Sequence, residues 1–156
     1  MPRLDSFPEV SRNRLLTLPV PVNDTAPFTP LRKPLSECTI AIVTTAGLHL
    51  RDDKPFLSGD PSYRVIPSTS PAGQIIESHA SIGFDRVPAM RDLNIVYPID
   101  RLNELVQRGD LGSIGAKCYS FMGAQTDTSR IERGTAPEVA RALLDQGVDA
   151  VLLTPT

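Results

Sequence analysis

The sequence predicts an α/β fold: a Rossmann-like, mostly parallel sheet with helices on its faces, preceded by a Pro-rich extended N-terminal arm. Three observations carry this reading. Seven of the fifteen prolines lie within the first 34 residues, where they remove backbone donors and hold their predecessors extended. Cys38–Thr44 is apolar or β-branched with no polar alternation, the pattern of a strand covered on both faces. From there to Thr156, strand-like runs alternate with helical patterns closed by glycine.

Residues 1–35 are therefore read as an arm with one turn near Arg12–Leu16, and residues 36–156 as the α/β domain. Such arms pack across a neighbouring subunit, giving a homo-oligomer, or lie as surface loops. Gly47 ends the first strand. Tyr63–Ile66 is a second strand, bounded by Ser58-Gly59-Asp60-Pro61 and Pro67, and Gln74–Glu77 a third. Asn94–Tyr97 reads as the next, stopped by Pro98, with Asp100 as the N-cap of a helix whose apolar face is Leu102, Leu105 and Val106. Gly109 closes that helix. Ile114–Phe121 is a strand loosened by Gly115, and the glycine-rich run Gly109–Gly115 a turn with close backbone packing. Thr135-Ala136-Pro137-Glu138 has the pattern of a capping box. Val139, Leu143, Ala140 and Leu144 then form an apolar stripe, Gly147 ends the helix, and Val148–Thr154 is a buried strand.

The chain has 156 residues, 40% apolar and 22% charged, with a formal charge of −2. That composition supports a soluble globular core and argues against disorder. It provides no electrostatic footprint for nucleic acid or an anionic membrane surface. No run approaches the length of a membrane span, and the one leader-like stretch, Leu15–Val22, is interrupted by Pro19 and Pro21. Two cysteines 80 positions apart, Cys38 and Cys118, read as reduced thiols of a cytoplasmic protein.

In open α/β sheets chemistry collects beyond the carboxyl ends of the strands. Here that rule points to Thr44–His49, Pro98–Asp100, Ser120–Gly123 and Thr154–Thr156. His49 and His79 both follow strand ends, and imidazole is the side chain suited to proton transfer near neutral pH. The structural alternative is that each caps a loop. Asp85-Arg86, Arg91-Asp92 and Asp100-Arg101 are solvated pairs, or else one arginine, Arg86 before Arg51 or Arg101, clamps a carboxylate. A metal site would require Cys38, His49, His79 and Cys118 to meet by tertiary accident, because no ligand spacing is present. No metal is assigned. Phosphate loops, dinucleotide fingerprints and nucleophile elbows are absent from the sequence.

Several blocks resemble one family. Lys33-Pro34-Leu35-Ser36-Glu37-Cys38 leads into Thr44-Thr45-Ala46-Gly47-Leu48-His49. Gly59–Pro67, Ser78-His79 through Phe84-Asp85-Arg86, Asp92–Leu102, Tyr119–Gly123 and Val148–Pro155 follow in order. Together they are similar to the glycine/sarcosine/betaine reductase selenoprotein B family, which includes the D-proline reductase selenoprotein subunit. The resemblance spans residues 33–156 and leaves out the arm. It implies thiol- or selenol-dependent reductive cleavage of a C–N bond in a small amino-acid-like substrate. It also implies reductase partner subunits, one of which carries a pyruvoyl group in several members, and a thiol reductant. The family's cysteine or selenocysteine directly follows the Leu-Leu-Thr-Pro segment, so selenocysteine is expected just after Thr156. On this reading translation stopped at a UGA codon that specifies selenocysteine, or the chain was cut short. Neither Cys38 nor Cys118 matches that position.

The resulting expectation is a reductase subunit or fragment. His49 and His79 would handle protons or orient substrate, Arg86 with Asp85 would hold a carboxylate, and Thr44, Thr45 and Tyr119 would line the cleft. The alternative is a non-catalytic α/β subunit that binds a small carboxylate or serves assembly.

Overall fold

A computed structural model describes residues 3–17, 22, 24–25, 29–81 and 83–156. The chain divides into two units, Met1–Pro30 and Leu31–Thr156. In the first, the turn expected near Arg12–Leu16 is a longer helix, α1 (Glu9–Leu16), with no buried residue. Pro19, Pro21 and Pro27 lie outside the described residues.

The second unit is α/β, as expected. Its centre is β1 (Thr39–Thr44). One edge of β1 pairs in parallel with β7 (Ala150–Thr154), from Ile40↔Ala150 to Thr44↔Thr154. The other edge pairs in parallel with β5 (Ser113–Ile114) and then β6 (Lys117–Phe121). These are two pieces of the single strand read from the sequence, separated at Gly115-Ala116. β3 (Tyr63–Pro67) runs antiparallel on the outer edge of β6, so the five-stranded sheet is mixed. β2 (Leu48–Leu50) and β4 (Ile75–Glu77) form a separate antiparallel pair. Gln74–Glu77 is thus extended but outside the main sheet, and β2 has no counterpart in the sequence reading. Among the described residues no helix is long and apolar enough to cross a membrane.

The unbroken apolar run of β1 is explained by burial on both faces. Ile42 packs with Leu48, Ile66, Val96, Tyr97 and Leu102, the last from α3 (Ile99–Gln107). Ala41 faces the other way, toward Tyr119, Phe121, Val139 and Leu143 beneath α4 (Ala136–Asp145). Both helices end as expected at a left-handed glycine, Gly109 at φ +77° and Gly147 at φ +71°. At each end two N–H groups return to the last turn, Gly109 to Val106 and Asp110 to Leu105, Gly147 to Leu144 and Val148 to Leu143.

Five expectations are corrected. Asn94–Tyr97 is no strand. Leu93–Ile95 is a single tight helical turn, because Asp92 Oδ1 accepts both the backbone and side-chain N–H groups of Asn94 and so closes a local turn. Asp100 is not the N-cap of α3: the helix starts at Ile99, and Asn94 Oδ1 accepts the Asp100 N–H instead. The capping box at Thr135 does not form. A turn of π-helix over Ile131–Thr135 feeds straight into α4, and the Thr135 hydroxyl donates to the Pro61 carbonyl at 2.8 Å. The stripe of α4 narrows to Val139 and Leu143, with Ala140 and Leu144 exposed. Finally, β7 is not buried. Leu153 is 67% exposed, since among the described residues β7 pairs only with β1.

Gly112 marks the tightest backbone approach in this half of the unit. A β-carbon there would stand 2.7 Å from the Cys38 carbonyl oxygen, a contact with rigid backbone. Gly112→Ala should therefore destabilise the chain by about 1–3 kcal/mol, as overpacking does. With roughly 2–4 °C per kcal/mol at this size, a thermal melt should show the loss, and an unchanged midpoint would contradict the packing described.

Candidate functional site

The parallel strands β1, β6 and β7 end side by side, with Thr44, Ser120 and His79 buried near those ends. Thr44, His49, His79 and Ser120 are each no more than 3% exposed. Two of them have their hydrogen bonds within the fold. Thr44 Oγ1 donates to the Val96 carbonyl at 3.0 Å, where Thr154 Oγ1 also donates at 2.8 Å. Ser120 Oγ accepts the Leu48 N–H at 2.7 Å. Thr45 ties down the end of β7. Its N–H reaches the Thr154 carbonyl at 3.2 Å, and its hydroxyl accepts the Thr156 N–H at 2.8 Å.

The two imidazoles differ. Each has a buried Nε2 with no hydrogen-bond partner among the described residues. The Ser81 N–H donates to Nδ1 of His79 at 3.2 Å, which assigns the proton of the neutral ring to Nε2. Nδ1 of His49 lies 2.7 Å from the Leu50 carbonyl, which can only accept, so in the neutral ring the lone pair is on Nε2. One free nitrogen is thus a donor and the other an acceptor. Burial, and then the charge of Arg86, hold the His79 pKa below 6.5 and favour the neutral ring. Phe84 packs against the His79 ring at 4.6 Å between centroids.

Gly123 marks where His79 points. A β-carbon there would lie 2.6 Å from His79 Nε2, 2.8 Å from the Thr45 carbonyl oxygen and 3.0 Å from the Thr156 carbonyl oxygen. The imidazole donor therefore stands next to the segment that follows β7. The next residue, Ala124, adopts the left-handed φ of +53°, costly for any residue with a β-carbon. The Gln125 side chain holds this corner through the carbonyls of Asp60 at 3.0 Å and Met122 at 3.1 Å.

A cavity of about 510 Å³ opens beside α2 (Val87–Arg91). Leu48, Ile75 and Leu93 contribute apolar walls, and Glu77, Arg86 and Arg91 are its charged groups. Both oxygens of Glu77 are buried without a partner among the described residues. Burial raises the Glu77 pKa, and the charge of Arg86 partly offsets the rise. Arg86 thus acts on both Glu77 and His79.

The structure brings together Thr44, Thr45 and His79 at the strand ends, and sets Arg86 within electrostatic reach of His79. His49 lies on β2, two residues beyond Gly47, whose carbonyl accepts the Ser78 N–H. Asp85 stays apart from these groups. It is exposed, and its Oδ1 accepts the Val87 N–H at the start of α2. Tyr119 also stays apart. It packs in the cluster under α4, edge-on to Tyr63, and its hydroxyl accepts from Gln146 at 3.0 Å. Arg51 donates to the neighbouring Gly73 carbonyl, and Arg101 pairs with Glu104. Cys38 is buried with its thiol directed at the carbonyls of Lys33 and Pro34, and burial pushes the Cys118 thiol up. Neither has the setting of an activated thiolate. Among the described residues no three His, Cys, Asp or Glu side chains are grouped to hold a metal ion. Sequence reasoning missed Glu77 and Gly123. Their signals were an acid directly after two isoleucines and a glycine at the end of a buried strand.

Residues 13–156 match the glycine/sarcosine/betaine reductase selenoprotein B family, so the match begins inside the proline-rich stretch that the resemblance left out. The chain is 39% identical over 136 residues to the D-proline reductase subunit gamma of Acetoanaerobium sticklandii, covering 86% of this chain and 55% of that protein. It is 30% identical over 142 residues to the sarcosine reductase complex component B subunit beta of Peptoclostridium acidaminophilum, covering 88% and 32%. It is 31% identical over 145 residues to the glycine reductase complex component B subunit gamma of Carboxydothermus hydrogenoformans, covering 89% and 33%. The chain thus spans about half to a third of the length of these relatives. No solved structure matches it significantly.

The tautomers are directly testable. In imidazole ¹⁵N spectra at neutral pH, His79 should show the Nε2–H form and His49 the Nδ1–H form, and Gly123→Ala should shift the His79 signals alone. The reverse assignment would contradict the geometry. Linkage sets the sign of a second test. Because the folded pKa of His79 lies below 6.5, the unfolded chain binds more protons between the two values. The His79 contribution is complete above pH 6.5, declines as pH falls through that value, and stops declining below the folded pKa. Melts of His79→Gln should lose this part of the pH dependence, and a curve that overlays the parent would count against it.

Proposed function

The chain belongs to the glycine/sarcosine/betaine reductase selenoprotein B family, and on that premise we propose that it serves as a subunit of a cytoplasmic multi-component amino-acid reductase. Its substrates are small molecules of the glycine, sarcosine, betaine or proline kind, and the reaction is reductive cleavage of a C–N bond. Partner subunits complete the complex, one of them with a pyruvoyl group. A dithiol supplies the two electrons and is oxidised to the disulfide.

One observation carries this reading: the buried, unpartnered Nε2–H of His79 lies beside Thr156 at the end of β7. A selenolate or thiolate in the position after Thr156 would supply the nucleophile there. The donor on His79 favours an anion at that place over its protonated form. The lone pair on Nε2 of His49 can accept a proton. Arg86 holds the substrate carboxylate, in keeping with its place on the cavity wall. Thr44 and Thr45 keep the end of β7 fixed, so that the donor and the following residue stay in register. Tyr119 and Asp85 take no part, since one packs under α4 and the other accepts the Val87 N–H at the start of α2.

The test is dithiol-dependent reduction of glycine, sarcosine, betaine and proline by the intact complex that contains this chain. Turnover of at least one is expected, and His79→Gln should lower kcat by about 10²-fold or more with KM little changed. Binding without reduction of any of the four would replace this reading with that of a non-catalytic carboxylate-binding subunit.

A further inference from the structure

Strand β7 lacks the charge, proline and bulge with which free sheet edges are protected. Its residues are Ala150-Val151-Leu152-Leu153-Thr154, and among the described residues it pairs only with β1. The Thr154 carbonyl accepts the Thr45 N–H. Alternation along β7 therefore turns the backbone groups of Ala150, Leu152 and Thr154 toward β1 and those of Val151 and Leu153 outward. The side chains are uncovered on both faces. Val151 and Leu153 lie beside Ala41 and Val43 on the α4 face, and Leu152 lies beside Ile42 on the α3 face. Val151 is 37% exposed, Leu153 67% and Leu152 36%, in a strand without polar alternation.

We propose that this edge is the interface with a second copy of the chain, joined by antiparallel pairing of the two β7 strands about a two-fold axis at Leu152. In that register Val151 of each copy opposes Leu153 of the other, and each such pair exchanges two backbone hydrogen bonds. The outward N–H and C=O groups of both strands are then satisfied. An axis normal to the sheet keeps the faces matched. Val151 and Leu153 of both copies form one apolar cluster on the α4 face, and the two Leu152 side chains meet on the other. The charges suit a contact of the strand with itself, because Asp149 stands opposite Pro155 and no like charges are opposed. Asp149 is also already held, by Lys33 at 2.8 Å and by the Thr39 N–H at 2.8 Å. The pairing ends where the strand does: Pro155 has no donor, and the Asp149 N–H goes to the Thr39 carbonyl. The turn before β7 of one copy comes to stand beside Thr156 of the other, at the margin of the site. The proposal does not depend on the reductase reading.

Sedimentation velocity of the full chain should show a reversible dimer. Leu153→Lys should weaken it at least about tenfold, by placing a charge in the apolar cluster. Leu152→Cys locates the axis. Opposed residues of a non-hydrogen-bonded antiparallel pair have Cα atoms about 4.5 Å apart, within reach of a disulfide. Air oxidation should therefore link Leu152→Cys into a covalent dimer. Val151→Cys should stay unlinked, since its counterpart is displaced diagonally to about 7–8 Å. Cys38 and Cys118 are buried and do not compete. A monomer, a dimer that Leu153→Lys leaves intact, or a failure of Leu152→Cys to link would overturn the proposal. Amide-exchange protection of Val151 and Leu153 that arises only when the other reductase subunits are added would assign the edge to one of them and overturn it as well. If Leu153→Lys does not fold, the cross-link decides.

Discussion

No side chain fits at position 123, and the site depends on that. The space a β-carbon would fill is already bounded by His79 Nε2, the Thr45 carbonyl and the Thr156 carbonyl. Three separate segments therefore meet at one backbone point: the end of β1, the loop after β4 and the end of β7. Their approach is rigid because each is anchored elsewhere. Thr45 bonds to Thr154 and Thr156 on β7 and just beyond it, Ser78 to Gly47, and Met122 bridges to Ala46. Glycine at 123 and left-handed Ala124 are the backbone conditions of that meeting.

The distribution of satisfied and unsatisfied polar groups separates support from chemistry. Thr44 and Ser120 are as deeply buried as the imidazoles, but their hydroxyls have good partners and act as fasteners between strand ends. The free nitrogens of His49 and His79 and the carboxylate of Glu77 have none. A fold leaves such groups unpaired only at a cost, because desolvation is not returned. These three residues lie on β2, on β4 and just after β4, outside the main sheet. The sheet itself supplies a stiff base, with β1 buried on both faces and α3 and α4 packed on opposite sides.

Much of the base was legible in the sequence. The apolar run of β1, the closing glycines Gly109 and Gly147 and the Leu102 face of α3 follow from local rules of burial, φ freedom and helical spacing. The failures lie at side chains with several options, which were decided by partners both near and far in sequence. Asn94 bonded to Asp92 and Asp100 and turned an expected strand into a helical turn. Thr135 gave its hydroxyl to Pro61 in place of its own helix. Tyr119, with the pattern of a residue near the strand ends, faced α4 because alternation along β6 sends Cys118 and Tyr119 to opposite sides.

The order of residues thus determined the central strand β1, the helices α3 and α4 with the glycines that close them, and the family to which the chain belongs. Those properties depend on neighbours a few positions apart. Only the tertiary structure decided that His79 presents a donor and His49, when neutral, an acceptor, and that half-buried Glu77 has its carboxylate oxygens closed off beside a cavity it shares with Arg86 and Arg91. A tautomer is set by the partner of the other ring nitrogen, and a pKa by burial and nearby charge. Both are properties of the surroundings in space, which the spacing of residues along the chain does not contain.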